Sequence, residues 1–139
     1  SWEVASDSIP ATDVTYNVAM SPWANYTFRI IATNKIGPSL PSQHSSVCTT
    51  EAEVPHRNPQ NVKGMGTSPD NLVISWTPMP EIEHNGRGFQ YRVSWKLNVP
   101  YANWTIEDIP NWKQSELVIE NQATYREYKI TVIAMNEKG

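Results

Sequence analysis

The sequence predicts an all-β fold built from antiparallel β-sandwiches. NYTFRIIATNKIG at residues 25–37 and EYKITVIAMNEKG at residues 127–139 share one pattern, offset by 102 residues (128 − 26). In both, apolar residues recur at every second position, which is the period of a strand with one buried face. Eleven Pro and many Asn, Ser and Thr supply frequent turns, and the three- and four-residue apolar spacing of a helix is missing. A repeat of about 100 residues is the size of one sandwich domain.

The other strands are predicted from the same alternation. LVISW at residues 72–76 places Leu, Ile and Trp on one face, and FQYRVSW at residues 89–95 does so with Phe, Tyr, Val and Trp. Between them TPMPEIEHNGRG is rich in Pro and Gly, which predicts a connecting loop. Further strands are predicted at 15–20, 44–50, 60–65, 102–107 and 116–120.

These motifs resemble the fibronectin type III module, in which a Tyr opens a strand ending in Asn-x-x-Gly and an earlier strand reads L-x-I-x-W-x-P. The resemblance implies tandem fibronectin type III sandwiches. It also implies that Tyr26 and Tyr128 are tyrosine corners, whose hydroxyls bond to the chain a few residues upstream. The second copy departs from the family pattern at Gln122 and Thr124, where the first has Met20 and Pro22.

The resemblance further implies a last strand after each Asn-x-x-Gly, and this predicts that the chain is a fragment with both modules incomplete. Such a strand is predicted after Gly37, whereas nothing follows Gly139. Half a sandwich cannot bury its apolar face, so the first part should fold poorly alone. The expected units are residues 1–50 as the C-terminal half of one module, residues 51–58 as a linker, and residues 59–139 as a second module without its last strand.

The stretches MSPWANYTFRIIATNKIG and NLVISWTPMPEIEHN resemble the first and second fibronectin type III modules of neural cell-adhesion molecules of the immunoglobulin superfamily. The resemblance implies the extracellular portion of a plasma-membrane glycoprotein with an ankyrin-binding tail. It implies homophilic or heterophilic contact with other cell-adhesion molecules in axon guidance and neurogenesis. We expect the modules to act as a spacer and interaction surface, with Pro55 and Pro59 restricting the angle between them. Cytokine-receptor-like proteins and receptor tyrosine phosphatases remain alternatives.

Composition and motifs bear on the other classes of function. The net charge is −3, which gives no attraction to nucleic acid, and no apolar run approaches the roughly 18 residues of a membrane span. Without a Gly-rich phosphate loop, a nucleophile elbow or a Cys–His pairing, we expect no enzyme activity, no cofactor and no small-molecule substrate. Glu81, Glu83 and His84 share a loop, but we expect solvated charge there and no metal site, since no Cys or His pair has zinc spacing.

Three residues are candidate modification sites. Cys48 is the single cysteine, and the family resemblance implies a disulfide to a partner outside this chain; a buried reduced thiol is the alternative. Asn25 and Asn103 begin the sequons NYT and NWT, which predict N-glycosylation. Twelve Asn and 23 Ser or Thr give about two such triplets by chance, so their number alone decides nothing. Alternation points Asn25 outward beside an inward Tyr26, and Asn103 likewise if Trp104 packs inward.

Two further features concern contacts with other proteins. Asn85-Gly86-Arg87 has the composition of an integrin-type tripeptide, although Asn-Gly is also what a long loop uses to turn, and we favour the loop. Outward aromatic and basic side chains are candidates for protein contact. They are Trp23, Arg87, Trp112 and Arg126.

Overall fold

The computed structural model describes residues 1–123 and 126–139. Within that part of the chain, no helix has the length and hydropathy needed to cross a membrane. A short 3₁₀ helix spans Glu81–Glu83. The strands are β1 (Asn25–Tyr26), β2 (Cys48–Thr49), β3 (Lys63–Met65), β4 (Leu72–Ser75), β5 (Gln90–Leu97), β6 (Thr105–Ile109), β7 (Glu116–Ile119) and β8 (Tyr128–Met135). The predicted all-β fold is confirmed.

The second part of the chain forms a sandwich of two antiparallel three-stranded sheets. One sheet has the order β3-β4-β7 and the other has the order β6-β5-β8. Ile74 of β4 lies opposite Leu117 of β7, and Val93 of β5 lies opposite Val132 of β8. Each of the strands predicted between residues 60 and 120 overlaps one of these strands.

The core lies between the two sheets, where the inward residues of β4 and β5 meet. Ile74, Tyr91 and Val93 are fully enclosed there. The Tyr91 hydroxyl accepts a hydrogen bond from the Met79 backbone N–H at 2.8 Å and donates to the Trp112 carbonyl at 2.7 Å. This one side chain therefore fixes the loop after β4 and the loop after β6 to the core, and both loops carry parts of the surface described below.

Residues 1–50 form an open layer in which β1 pairs with β2. Beyond β1, three serines replace the regular strand ladder. Each donates its backbone N–H to the carbonyl of one residue on the opposing stretch and accepts that residue's N–H on its Oγ. The pairs are Ser39 with Ala32, Ser42 with Ile30 and Ser45 with Phe28. The bonded serines are three positions apart, whereas the residues they pair with are two positions apart. A spacing of three residues is the repeat of a polyproline-like strand. We call this arrangement the serine ladder.

The sequence repeat gives the same turn twice. The Asn34 N–H donates to the Gly37 carbonyl at 3.2 Å, and the Asn136 N–H donates to the Gly139 carbonyl at 2.9 Å. The side-chain oxygen of each Asn also accepts an N–H two residues further on, from Ile36 at 2.9 Å in the first copy and from Lys138 at 2.8 Å in the second. The two copies therefore share local structure.

Burial differs between the two copies. Ile30 is 75% exposed, whereas Val132, its equivalent in the repeat, is 5% exposed. None of residues 1–50 is buried. The difference arises because Val132 faces a second sheet, while no strand of the described chain lies across from Ile30.

Three of the predicted strands need correction. The strand predicted at 15–20 is wrong, because no strand among the described residues lies beside this stretch to take its backbone hydrogen bonds. The alternating stretch that starts at Tyr26 and the strand predicted at 44–50 shrink to β1 and β2, since the serine ladder joins the rest of both stretches.

Candidate interaction surface at the linker

Side-chain amides of the second half hold residues 51–58 in place. The Asn136 Nδ2 donates to the Glu53 carbonyl at 2.8 Å and to the His84 carbonyl at 2.9 Å. The Asn85 Nδ2 donates to the Val54 carbonyl at 3.1 Å, and the Asn85 carbonyl accepts the Glu53 N–H at 2.8 Å. Both Asn side chains are buried, so water has limited access to the donor end of these bonds. We call these five residues the linker clamp.

The backbone explains why Asn85 of the clamp is followed by a Gly. Asn85 has φ of 61°, the left-handed region that Asn tolerates better than most residues. Gly86 has no room for a side chain, because a Cβ there would lie 2.9 Å from the Asn136 Nδ2 and 3.4 Å from the Ala52 Cβ. Asn85 and Gly86 are buried, and Arg87 is exposed. The first two residues of the Asn-Gly-Arg tripeptide thus build the loop.

His84 is a buried imidazole beside the clamp. Its ring stacks on Phe89 with centroids 3.7 Å apart and planes 3° apart, and it meets the edge of Trp112 at 5.2 Å. Its Nε2 lies 3.1 Å from the Met79 carbonyl, so this nitrogen carries the hydrogen in the neutral ring. Burial lowers the pKa of His84 below the ordinary 6.5, while the bond to Met79 and two nearby glutamates oppose that shift.

An open cleft of about 400 Å³ lies beside this stack and is lined from both halves of the chain. It brings together three of the four candidate contact residues, Trp23, Arg87 and Trp112. Trp23 has φ of 50°, a conformation that bulky residues seldom adopt. Arg126 lines a separate depression. The walls of the cleft therefore come from both sides of residues 51–58.

The loop with Glu81, Glu83 and His84, which the sequence offered as a candidate metal site, makes contacts within the chain. The His84 Nε2 is engaged by the Met79 carbonyl, and Glu83 Oε1 lies 3.6 Å from Arg57 Nη1. In residues 1–123 and 126–139, no three His, Cys, Asp or Glu side chains come together as metal ligands would.

Both predicted tyrosine corners carry a hydrogen bond to the chain upstream. The Tyr26 hydroxyl accepts the Ser21 N–H at 3.2 Å, and the Tyr128 hydroxyl accepts the Ala123 N–H at 2.8 Å. Each bond spans five residues, so the two copies agree in this detail. Thr124, where the second copy departs from the family pattern, lies outside the described residues.

The candidate modification sites are all at the surface. Cys48 lies on β2, opposite Tyr26, with an exposed side chain. Asn25 is exposed on β1, and Asn103 is exposed in the extended stretch that leads into β6. Trp104 does not pack inward as the alternation argument assumed, since its ring is exposed with the Lys96 Nζ 5.0 Å from its centroid.

Two features escaped the reasoning from sequence. Asn136 was noted as part of the repeat, but nothing in the sequence distinguishes it from Asn34, whose side chain stays in its own turn. Trp2 packs under the Arg29 guanidinium at 4.1 Å and against the His44 ring at 4.9 Å. The serine ladder did leave a readable signal, namely Ser at every third position of SLPSQHS.

The chain matches the fibronectin type III domain family over residues 57–139. It is 56% identical to neuroglian of Drosophila melanogaster over 139 residues, which is all of this chain and 11% of that protein. It is 40% identical to the neuronal cell adhesion molecule of Mus musculus over 131 residues, or 94% of this chain and 10% of that protein. The crystal structure of chicken CNTN1 FN1-FN3 domains resembles it with a TM-score of 0.71 and 34% identity, covering 85% of this chain and 40% of that one. The chain thus spans about a tenth of the length of the curated relatives it matches.

Proposed function

The chain belongs to the fibronectin type III family, and on that premise we propose that it forms part of the extracellular portion of a neural cell-adhesion receptor. Similarity along all 139 residues to neuroglian supports this proposal. The proposed partners are other cell-adhesion molecules, bound homophilically or heterophilically, with the parent protein anchored in the plasma membrane and its tail bound to ankyrin. We propose no catalytic role for this part of the protein.

The linker clamp is the observation that carries the mechanical part of the proposal. Five residues from the linker and the second half share four hydrogen bonds of 2.8–3.1 Å, three donated by Asn side chains and one accepted by the Asn85 carbonyl. The clamp fixes the linker to the second unit, which removes one source of freedom between the units on its two sides. The proposed units are residues 1–50, 51–58 and 59–139, and the proposed role is a stiff spacer that holds more distal adhesive modules at a set distance.

The cleft beside the clamp is the proposed contact surface. Trp23 and Trp112 offer large aromatic faces, and Arg87 offers an exposed guanidinium, which are the residue types enriched at binding hot spots. Because the cleft takes a wall from each side of the linker, the spacer and the contact surface depend on the same clamp. The proposed modifications are glycans on Asn25 and Asn103 and a disulfide from Cys48 to a cysteine outside this chain.

Aggregation of suspended cells tests the adhesive role. Cells that express the full-length protein should cluster, and Arg87→Glu should reduce clustering if the cleft contacts a partner. Lys35→Glu, which changes an exposed basic residue in the first-half turn, is the matched control. If cells expressing the unaltered protein fail to cluster with themselves or with neural cells, the adhesion proposal is wrong.

Small-angle scattering tests the spacer role. The intact pair of modules, with its natural flanking sequence, should scatter as one elongated particle with a single preferred angle. Asn136→Ala should broaden the distribution of angles, and Asn34→Ala, the equivalent change in the first copy, should not. Freely variable angles in the unaltered protein would count against a stiff spacer.

A further inference from the structure

The two sequons sit in the same five-residue pattern. Residues 23–27 read WANYT and residues 101–105 read YANWT, so each Asn has an aromatic residue two positions before it and another directly after it. Aromatic residues make up 10% of the chain. The probability that both sequons have an aromatic residue two positions before the Asn is therefore about one in a hundred. Chance alone accounts for the number of sequons. It seldom gives two sequons with the same aromatic neighbours.

The two aromatic positions differ in what they contact. The later ring of each pattern has a partner within the chain: the Tyr26 hydroxyl bonds to the Ser21 N–H, and Trp104 lies under the Lys96 ammonium. The earlier rings are exposed, Trp23 by 46% and Tyr101 by 87%. The later ring of each pattern is therefore engaged by a contact within the described chain, whereas Trp23 borders the cleft at residues 51–58 and Tyr101 stands almost fully in solvent.

The amide of Asn25 is oriented for modification. Its Oδ1 accepts a hydrogen bond from the Thr49 Oγ1 at 2.8 Å on the neighbouring strand, so Nδ2 faces away from that strand. A sugar bonded to Nδ2 leaves this hydrogen bond intact, because the carbonyl oxygen takes no part in the new bond. Asn85 is the contrasting case, since its Nδ2 is buried and already donates to the Val54 carbonyl.

We propose that Trp23 and Tyr101 are stacking platforms for the first sugar of glycans on Asn25 and Asn103. Residues two positions apart are separated by roughly 7 Å at most, so each ring lies within reach of a pyranose on the Asn two positions later. The face of an aromatic ring is electron-rich and attracts the C–H groups on one face of a pyranose, while the ring edge stays in water. The ligand class is an N-acetylhexosamine at the base of an N-linked oligosaccharide.

The transfer that places the sugar balances in ordinary terms. The Asn Nδ2 forms a bond to C1 of the sugar and loses one proton. The C1–O bond to a lipid-linked diphosphate donor breaks, and the lipid diphosphate leaves with the electron pair. A lipid-linked diphosphate sugar in the membrane is the donor, and a membrane-bound glycosyltransferase catalyses the transfer during secretion. The platform inference rests on the proposed extracellular placement, since a chain that never meets this enzyme carries no such glycan.

The full-length protein from insect cells provides the test. Glycopeptide mass spectrometry gives the fraction of each Asn that carries a glycan. A peptide N-glycosidase then releases the glycan from the native and from the denatured protein, and the ratio of the two rates measures how well the fold protects the first sugar. Tyr101→Ala should raise the native release rate at Asn103 by about two- to tenfold, the range that a single aromatic contact confers, and leave Asn25 unchanged. Tyr101→Phe should behave as the unaltered protein, whereas Tyr101→Leu, which keeps apolar bulk without a ring, should not.

Trp23→Tyr and Trp23→Gly form the corresponding pair at Asn25, and Gly also suits the left-handed backbone there. Protection lost in the ringless variants and kept in the ring-bearing ones supports the inference. Glycans present but equally protected in all variants overturn the platform role while leaving the extracellular placement intact. No glycan at either Asn in the unaltered protein overturns both the inference and the secretory route on which it rests.

Discussion

The side-chain amide of Asn136 donates to the carbonyl of Glu53 at 2.8 Å, across 83 residues of sequence. It is a contact between the last turn of the described chain and the linker that precedes the whole second sandwich. The same Nδ2 also reaches the His84 carbonyl, so one amide joins three segments. Both of its hydrogens are used, and the linker geometry depends on the presence of this side chain.

Replacing Asn136 should destabilise the protein. Asn136→Ala removes the donor to the Glu53 carbonyl and the buried bond to the His84 carbonyl, which should lower the free energy of unfolding by about 1–3 kcal/mol. Urea unfolding followed by tryptophan fluorescence measures the loss. Asn34→Ala removes the same side chain where it serves only its own exposed turn, and it should cost clearly less. Equal losses for the two variants would mean that the contact with the linker is energetically unimportant.

Gly86→Ala should also destabilise, for a steric reason. The added methyl would lie 2.9 Å from the Asn136 Nδ2, an atom held by two hydrogen bonds and unable to move away freely. Overpacking of this kind typically costs about 1–3 kcal/mol. Gly64→Ala is a useful comparison, because its methyl would meet the end of the Ile130 side chain at 3.1 Å, which can rotate aside. Thermal unfolding should rank Gly86→Ala as the more damaging change.

Tyr91→Phe should lower the stability of the fold considerably, although it removes only one oxygen atom. The hydroxyl satisfies the Met79 N–H and the Trp112 carbonyl inside the core, and both would be left unpaired. We expect a loss of about 1–3 kcal/mol in the free energy of unfolding, measured by denaturant titration. Tyr101→Phe removes the hydroxyl of an exposed ring and should change stability by less than about 0.5 kcal/mol. A neutral Tyr91→Phe would show that the two loops find other hydrogen-bond partners.

The stability of the protein should depend on pH through His84. Burial lowers the pKa of this imidazole in the folded state, so the unfolded chain binds the proton more readily. The contribution of neutral His84 to stability is therefore complete above the unfolded pKa of 6.5 and is lost as the pH falls toward the lower folded value. Unfolding free energies measured between roughly pH 5 and pH 7 should decrease with acidification.

His84→Gln isolates that contribution. Glutamine keeps a donor for the Met79 carbonyl but does not titrate, so the slope of stability against pH in this window should flatten. His44→Gln changes an imidazole at the exposed surface and serves as the matched control. An unchanged slope in His84→Gln would assign the pH dependence to other groups.

Alternation predicted strands well wherever a partner strand lies within the chain. Val93 and Ile74 were placed on inward faces by their spacing alone, and both are fully buried. The stretch at 15–20 carries a similar pattern and forms no strand, because alternation describes one strand while hydrogen bonding requires two. Local sequence therefore fixed the face that each segment would bury, and tertiary context decided whether that face became buried.

The surface at the linker was harder to predict. Trp23, Arg87 and Trp112 were chosen for their chemistry, and the fold brings them to one cleft although 89 positions (112 − 23) separate the two tryptophans. The amide bonds of Asn85 and Asn136 to the linker carbonyls join side chains to backbone over long range, which leaves no periodic trace in sequence. Such contacts become visible only once the loops are placed in three dimensions.

The serine ladder has a mechanical consequence. The serine segment and the stretch it faces are joined by the turn at residues 34–37, so their open ends lie side by side where β1 pairs with β2, and tension between residues 25 and 49 pulls these ends apart. Each serine contributes two hydrogen bonds, one donated and one accepted. Such force reaches the pair of Ser45 and Phe28 first, and the pairs of Ser42 and Ser39 bear load only after it opens. A strand joined by hydroxyls can in this way carry a pulling load without a regular β ladder.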